Sequence, residues 1–390
     1  MFLRSAYSYA YAAGGAVGLA VLRARARGLA QRAGTRALRV HFDDTCLVTW
    51  PQLPEQFAAL REPAAPAYKV TAGREALAAA GDAESVAVLV GGGRKANGEA
   101  WAPTLLALPG LRAVVQPAAG VPVGLLALFS RPELRHVTLY NLHHNAPATA
   151  ELAVALLLAT ARRLVAADGM LRREGSWEGK ALPGACSLSG STAVVVGFGA
   201  VGRRVAAVLR ALGADVLATS RGAPDAAAGT PDAATGASVF RADRLPELLP
   251  RASSLVLACP LTAETAGLLG AAELALLPAG ATVVNVGRAE LMDEEPTFRA
   301  CEARRIAFGS DVWWVEPPTP RDRSPVSQAR FPFGDLQNVV MAPHMGGGKG
   351  LPGIEEARAR ELARVLEALL PDGASASARA VKPVDASAGY

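Results

Sequence analysis

Residues 192–202 restrict the folds open to this chain more than any other stretch. They read Thr-Ala-Val-Val-Val-Gly197-Phe198-Gly199-Ala200-Val201-Gly202 and lead directly into Arg-Arg-Val-Ala-Ala-Val-Leu-Arg-Ala-Leu-Gly. A valine-rich run, a turn with Gly at its first, third and sixth positions, and an alanine-rich segment describe a buried strand turning sharply into a helix. The first glycine permits the tight turn, the second lets a phosphate reach the backbone, and the third lets helix and strand pack closely. The N–H groups that open such a helix lack internal partners and lie at the positive end of its dipole, which suits a dinucleotide pyrophosphate. Gly and Ala are frequent throughout, so it is the strand–turn–helix context that gives the spacing its meaning.

About twenty residues on, a site for NAD carries Asp or Glu to hold the ribose 2′-hydroxyl. Here the next strand ends in Thr219-Ser220-Arg221-Gly222, with no carboxylate. Ser220 can donate a hydrogen bond to a 2′-phosphate and Arg221 can grip it with its planar fork, which favours NADP(H) over NAD(H). With Arg221 a solvated loop residue instead, NAD remains open.

The rest of the chain repeats the strand–helix alternation. Strands fit 38–42, 67–70, 85–90 and 111–115, with helix formers at 54–62, 73–80 and 101–108. A second series fits 192–197, 214–219, 254–259, 281–286, 305–312 and 338–343. An apolar helix is expected over 147–167, a surface loop over 222–238, an amphipathic helix over 353–370, and disorder beyond 371. Alternation of this kind predicts an α/β fold with two doubly wound parallel sheets, and 390 residues are enough for two domains. The uncharged part of 147–167 is ten residues, between Glu151 and Arg162, too short to cross a bilayer core of roughly 30 Å.

Charge narrows the partners. Residues 1–42 hold seven Arg and no acid, and the remaining chain has 33 basic and 35 acidic residues. The basic character is therefore terminal, and no nucleic-acid-binding face is expected. Residues 1–38 read as an organelle presequence for a plastid or a mitochondrion; a secretory segment is the competing reading of apolar 12–22, and a cytoplasmic protein follows if the segment is neither. Cys46, Cys186, Cys259 and Cys301 form no CxxC pair, which argues against a zinc module or a disulfide scaffold. His143 and His144 are adjacent but have no third ligand at a recognisable spacing, so no metal is expected.

In open α/β sheets chemistry sits beyond the carboxyl ends of the strands. The last three strands run into Arg288, Glu316 and His344. A guanidinium can hold a substrate carboxylate, an imidazole can move a proton near neutral pH, and a carboxylate beside it fixes its tautomer and raises its pKa. With a nicotinamide these parts suffice for hydride transfer to a 2-oxo acid. Trp313 and Trp314 either wall the pocket or pack the core.

These segments resemble the D-isomer-specific 2-hydroxyacid dehydrogenase family, which includes glyoxylate/hydroxypyruvate reductases and phosphoglycerate dehydrogenases. The resemblance covers about residues 110–370: the glycine turn and its flanks, LVLACPLTAET with Pro260 and Thr265, VVNVGRAE with Arg288, SDVWWVEP with Asp311 and Glu316, VVMAPHMGG with His344, and NAPATAELA with Asn145 and Glu151. It implies Arg288, Glu316 and His344 as catalytic residues. It also implies cofactor contacts from Pro260, Thr265 and Asp311 in addition to the glycine turn, and backbone N–H groups at Gly120 for the substrate carboxylate. A homodimer is implied as well, with a Rossmann domain (146–345) inserted in a flavodoxin-like substrate domain (39–145, rejoined by 346–371) and a tail from 372. Pro122, His143, His144 and Ala289 depart from the family pattern and leave the substrate open. A dinucleotide-sensing scaffold on the same fold is the alternative to an enzyme.

Overall fold

The structure, a computed structural model of the chain, describes residues 38–61, 68–73, 88–91, 98–315, 329–370 and 382–385. The chain divides into two units, Met1–His144 with Gly350–Tyr390, and Asn145–Lys349.

In the first unit, β1 (Leu38–Phe42), β2 (Tyr68–Ala72), β3 (Val88–Val90), β4 (Ala113–Gln116) and β5 (Thr138–Asn141) form a wholly parallel sheet in the order β2-β1-β3-β4-β5. Parallel neighbours need crossovers, and helices on both faces supply them. These are α1 (Asp44–Thr49), α2 (Leu53–Arg61), α3 (Gly98–Leu106) and α4 (Val123–Phe129). Strand alternation sorts the core into two layers. Val40, Phe42, Val88, Val90, Ala113 and Val115 meet Leu53, Phe57 and the C-terminal helix Ile354–Ala368, while Leu89, Val114 and Leu139 meet Trp101, Leu105, Leu125 and Leu128.

Several expectations change here. Leu38, the last residue assigned to a presequence, opens β1 and is 4% exposed, so it belongs to the folded unit. Of the tail expected to be disordered, residues 382–385 lie against this sheet, where the Val384 N–H donates to Leu139 O at 2.8 Å. β5, a four-residue edge strand, was not anticipated. The expected helix 73–80 lies, but for Gly73, outside the described residues.

The second unit holds an eight-stranded sheet ordered β13-β12-β11-β10-β6-β7-β9-β8. It begins with α5 (Ala146–Ala161) and α6 (Leu164–Glu174), then runs β6 (Thr192–Val196), α7 (Ala200–Ala211), β7 (Asp215–Ser220), β8 (Thr230–Pro231) and β9 (Ser238–Arg241). It continues through α8 (Leu245–Leu248), β10 (Ser254–Leu257), α9 (Ala271–Leu276), β11 (Ala281–Asn285), α10 (Glu294–Glu302), β12 (Ile306–Ser310) and β13 (Val339–Met341). All strands but β8 are parallel, and the chain leaves β6 in opposite directions, giving a doubly wound sheet with its switch point between β6 and β10. Ala193, Val195, Val256 and Val284 face α5 and α7, whereas Val194, Val196, Leu255 and Val283 face the α8–α10 side.

Two elements differ from expectation. The helix expected over 147–167 is two helices, broken where Arg163 takes a left-handed φ of 55° and the Cys186 N–H caps Ala161 O at 2.8 Å. The loop expected over 222–238 contains a small hairpin: β8 pairs antiparallel with β9, and the Asp232 carboxylate accepts the Thr235 N–H and bonds Arg203 Nη1 on α7.

Candidate active site

The glycine turn is shaped by three different steric limits. Gly197 has φ +96°, and a Cβ there would lie 2.7 Å from the Cys259 backbone, which follows β10. Its N–H and that of Phe198 both donate to Thr219 O on β7, at 3.2 and 3.0 Å. At Gly202 a Cβ would sit 1.9 Å from Gly197 O, so α7 packs directly on the turn. Gly199 is different, because a Cβ there would meet nothing within 4 Å. It precedes α7 with no side-chain cap, and no acid lies in the first helical turn, which Ala200 and Val201 begin. Open approach, uncapped N–H donors and absent negative charge are what a pyrophosphate requires, so these residues fit a dinucleotide.

Ser220 is half-buried at the end of β7 and Arg221, next to it, is exposed. Pro260 and Thr265 shape the loop after β10: Thr265 Oγ1 donates to Pro260 O at 2.8 Å and accepts the Thr262 N–H at 2.7 Å. That closes the loop whose Cys259 backbone abuts Gly197.

Arg288 leaves β11 on a braced backbone. Asn285, 1% exposed, accepts the Gly287 N–H at 3.0 Å and donates through Nδ2 to Arg288 O at 2.8 Å. The half-buried Arg288 side chain donates through Nη1 to Gly287 O at 2.7 Å. Asn285 escaped the sequence reading, although a lone amide in a valine strand was the available signal. His344 follows β13 with φ +53°, a left-handed conformation uncommon for any residue other than glycine. The Trp313 Nε1–H donates to Ala342 O at 2.9 Å and helps fix that loop.

β11 and β13 flank β12, so the strands that lead to Arg288 and His344 end on one side of the sheet, about 10 Å apart at the usual strand spacing. The glycine turn opens onto the same edge. Glu316 lies outside the described residues. Gly120 lies in the first unit, in the β4–α4 turn, which Asn141 braces by donating to Ala119 O at 2.6 Å.

Asp311, expected at the cofactor, is 2% exposed, and its two oxygens accept the Met345 N–H at 2.7 Å and the Gly346 N–H at 2.8 Å. Its carboxylate is engaged by the histidine loop. Trp313 and Trp314 pack the core: Trp313 is 6% exposed and meets Phe333 edge-on at 5.8 Å, and Trp314 stacks on Phe333 at 5.5 Å. His144, buried in the first unit, accepts the Arg358 Nε–H at 3.1 Å, while Arg358 pairs with Glu355 and lies over the Trp50 ring. Burial, with the Arg358 charge and His143 adding to it, pushes His144 down to about 3, so it stays neutral. Among the described residues no group of three or more His, Cys, Asp or Glu is arranged to hold a metal, and no helix is long and apolar enough to cross a membrane.

Residues 154–346 match the D-isomer specific 2-hydroxyacid dehydrogenase, NAD binding domain. That span of the chain belongs to that family. A hydroxypyruvate reductase of Thermotoga maritima is 34% identical over 203 residues, 52% of this chain and 60% of that protein. A D-3-phosphoglycerate dehydrogenase of Archaeoglobus fulgidus is 35% identical over 202 residues, 52% of this chain and 35% of that one. The match thus spans less than two thirds of either relative. A D-isomer specific 2-hydroxyacid dehydrogenase from Xanthobacter autotrophicus Py2, solved with NADPH and MES, superposes with a TM-score of 0.65 at 25% identity, covering 92% of this chain and all of the other. The matched span contains the glycine turn, Arg288 and His344, so family likeness and site geometry fall on the same residues.

Proposed function

We propose that this dehydrogenase reduces a small 2-oxo acid, of the glyoxylate or hydroxypyruvate type, to the D-2-hydroxy acid with NADPH. The observation that carries the reading is the arrival of Arg288 and His344 on the sheet edge onto which the glycine turn opens. Arg288 orients the substrate carboxylate and polarises its carbonyl. His344 gives its proton to the carbonyl oxygen as that becomes a hydroxyl, and the resemblance adds Glu316, outside the described residues, as the third catalytic residue. The glycine turn Gly197–Gly202 would hold the dinucleotide, which would supply the hydride for the carbonyl carbon.

Arg221 and the absence of a carboxylate at 216–224 support NADPH, as does the NADPH held by the Xanthobacter protein. A homodimer completes the reading, supported by exposed apolar side chains on and beside α6: Leu164 (61%), Val165 (54%), Leu171 (48%) and Trp177 (68%). Import into a plastid or mitochondrion rests on the acid-free, arginine-rich start, and a fluorescent fusion of residues 1–37 tests it.

The test of the activity follows NADPH and NADH absorbance with glyoxylate, hydroxypyruvate and pyruvate. Faster NADPH oxidation with one of these acids is expected. Faster NADH oxidation would retire the role given to Arg221. Tight dinucleotide binding without oxidation of any acid would favour a sensing scaffold.

A further inference from the structure

We infer that Arg241 is a specificity-determining residue, which with Ser220 and Arg221 would hold the 2′-phosphate of NADPH, and that the Asp225 carboxylate competes with that phosphate; this rests on the NADPH reading given above. Ser220 ends β7 and Arg241 ends β9, and the register pairs the two directly. Neighbouring strands stand about 5 Å apart, and paired residues of parallel strands point to the same side of the sheet. That side is the one covered by α7, since Ala218 and Val239, two residues earlier in each strand, pack there. Arg241 is therefore within reach of whatever the Ser220 hydroxyl bonds. Its place beside Ser220 comes from the pairing of β7 with β9 and not from its position in the chain.

The Arg241 guanidinium is oriented for a second anion. Asp243 takes its Nε–H at 3.2 Å and an Nη2–H at 2.7 Å, and among the described residues nothing bonds Nη1. A guanidinium carries five N–H donors, so the edge turned away from Asp243 keeps about three of them. The bidentate pair fixes the plane of the group, which lowers the ordering cost of gripping a phosphate. The side chain is 47% exposed, so that edge is open to a ligand. Arg244 repeats the arrangement: Nε and Nη2 donate to Glu247 at 2.5 Å, and Nη1 stands 4.0 Å from Asp225 Oδ1. The Asp225 charge also reaches Arg241, whose pKa is raised by Asp243 first and by Asp225 after it.

The two acids near Arg241 are held differently. Asp243 is locked in a short bidentate pair, whereas Asp225 is 75% exposed and meets Arg244 only at 4.0 Å. A phosphate monoester brings about two negative charges near neutral pH, against one on Asp225, so it is the loosely held carboxylate that yields.

Calorimetric titration of the full chain with NADPH and with NADH tests this. The parent should bind NADPH at least about tenfold more tightly. In Arg241→Gln the NADPH dissociation constant should rise about tenfold, the scale of one charge-assisted contact, while that for NADH stays within about twofold. Asp225→Asn should move the other way, tightening NADPH about threefold and leaving NADH unchanged. Arg241→Gln alone frees the Asp243 carboxylate, so Arg241→Gln/Asp243→Asn removes both charges and should show the same loss. Ligand-free melting temperatures should match the parent throughout, since ion pairs this exposed contribute little to stability.

A double variant with parent affinity for NADPH would overturn the inference and assign the single variant's loss to the freed Asp243. Equal rises for NADPH and NADH would overturn it as well, because the 2′-phosphate is all that separates them. Unchanged NADPH affinity in Asp225→Asn would strike Asp225 as the competing anion. A parent chain that binds NADPH no more tightly than NADH removes the NADPH reading and the role of Arg241 with it. If the parent prefers NADPH and Arg241→Gln keeps that preference, the reading stands and Arg241 alone is discarded.

Discussion

Two glycines three positions apart in one turn, Gly199 and Gly202, do unlike work, and substitution separates them. Gly202→Ala must push α7 away from Gly197 O and is expected to cost about 2–3 kcal/mol of stability as well as dinucleotide affinity. Gly199→Ala meets open space, so its melting temperature should match the parent, yet its methyl occupies the phosphate approach and should weaken dinucleotide binding roughly tenfold (about 1.4 kcal/mol). Thermal melts and calorimetric titration of both variants check this, and equal affinities for Gly199→Ala and parent would remove the phosphate from that turn. The turn, Arg288 and His344 were all legible in the sequence because strand-end position and residue chemistry are local properties. The bonds from Asp311 to the Met345 and Gly346 N–H groups were not legible, because these partners lie thirty-four and thirty-five residues away in the chain.

At the scale of elements, the C-terminal helix is tied to the segment ahead of α5 by a neutral histidine. His144 accepts from Arg358 and is pushed down to about 3 from an ordinary 6.5, so between these values the unfolded chain binds a proton that the folded unit refuses. His144 therefore contributes its full stability above pH 6.5 and loses it as pH falls toward 3, at up to about 1.4 kcal/mol per pH unit. Burial also lowers His41, with the same sign. His144→Gln keeps an acceptor for Arg358 and should flatten the loss between pH 7.5 and 5.5. Urea midpoints at the two pH values measure it, and an unchanged slope would count against the assignment. The strands and long helices were legible because burial imposes their periods. The break at Arg163 was not, since the helical pattern runs on through it and the Cys186 N–H that caps the first helix comes from a distant loop. The β8–β9 hairpin escaped for a similar reason: its anchor is Arg203, on another element.

For the whole molecule, both sheet orders follow from parallel pairing with short crossovers, and their class was readable from strand–helix alternation alone. What alternation does not encode is where a face is left uncovered. The apolar side chains of α6 should be covered by a second copy, so Leu171→Glu is expected to shift the mass seen by light scattering from dimer to monomer; a monomeric parent would contradict this. The central claim is that the loop after β13 delivers the proton of a 2-oxo acid reduction. Steady-state turnover and dinucleotide binding of His344→Ala beside the parent chain test it most directly. Turnover on the preferred 2-oxo acid should fall by about 10²–10⁴ with the dissociation constant for NADPH nearly unchanged. A variant that oxidises NADPH at the parent rate would contradict it.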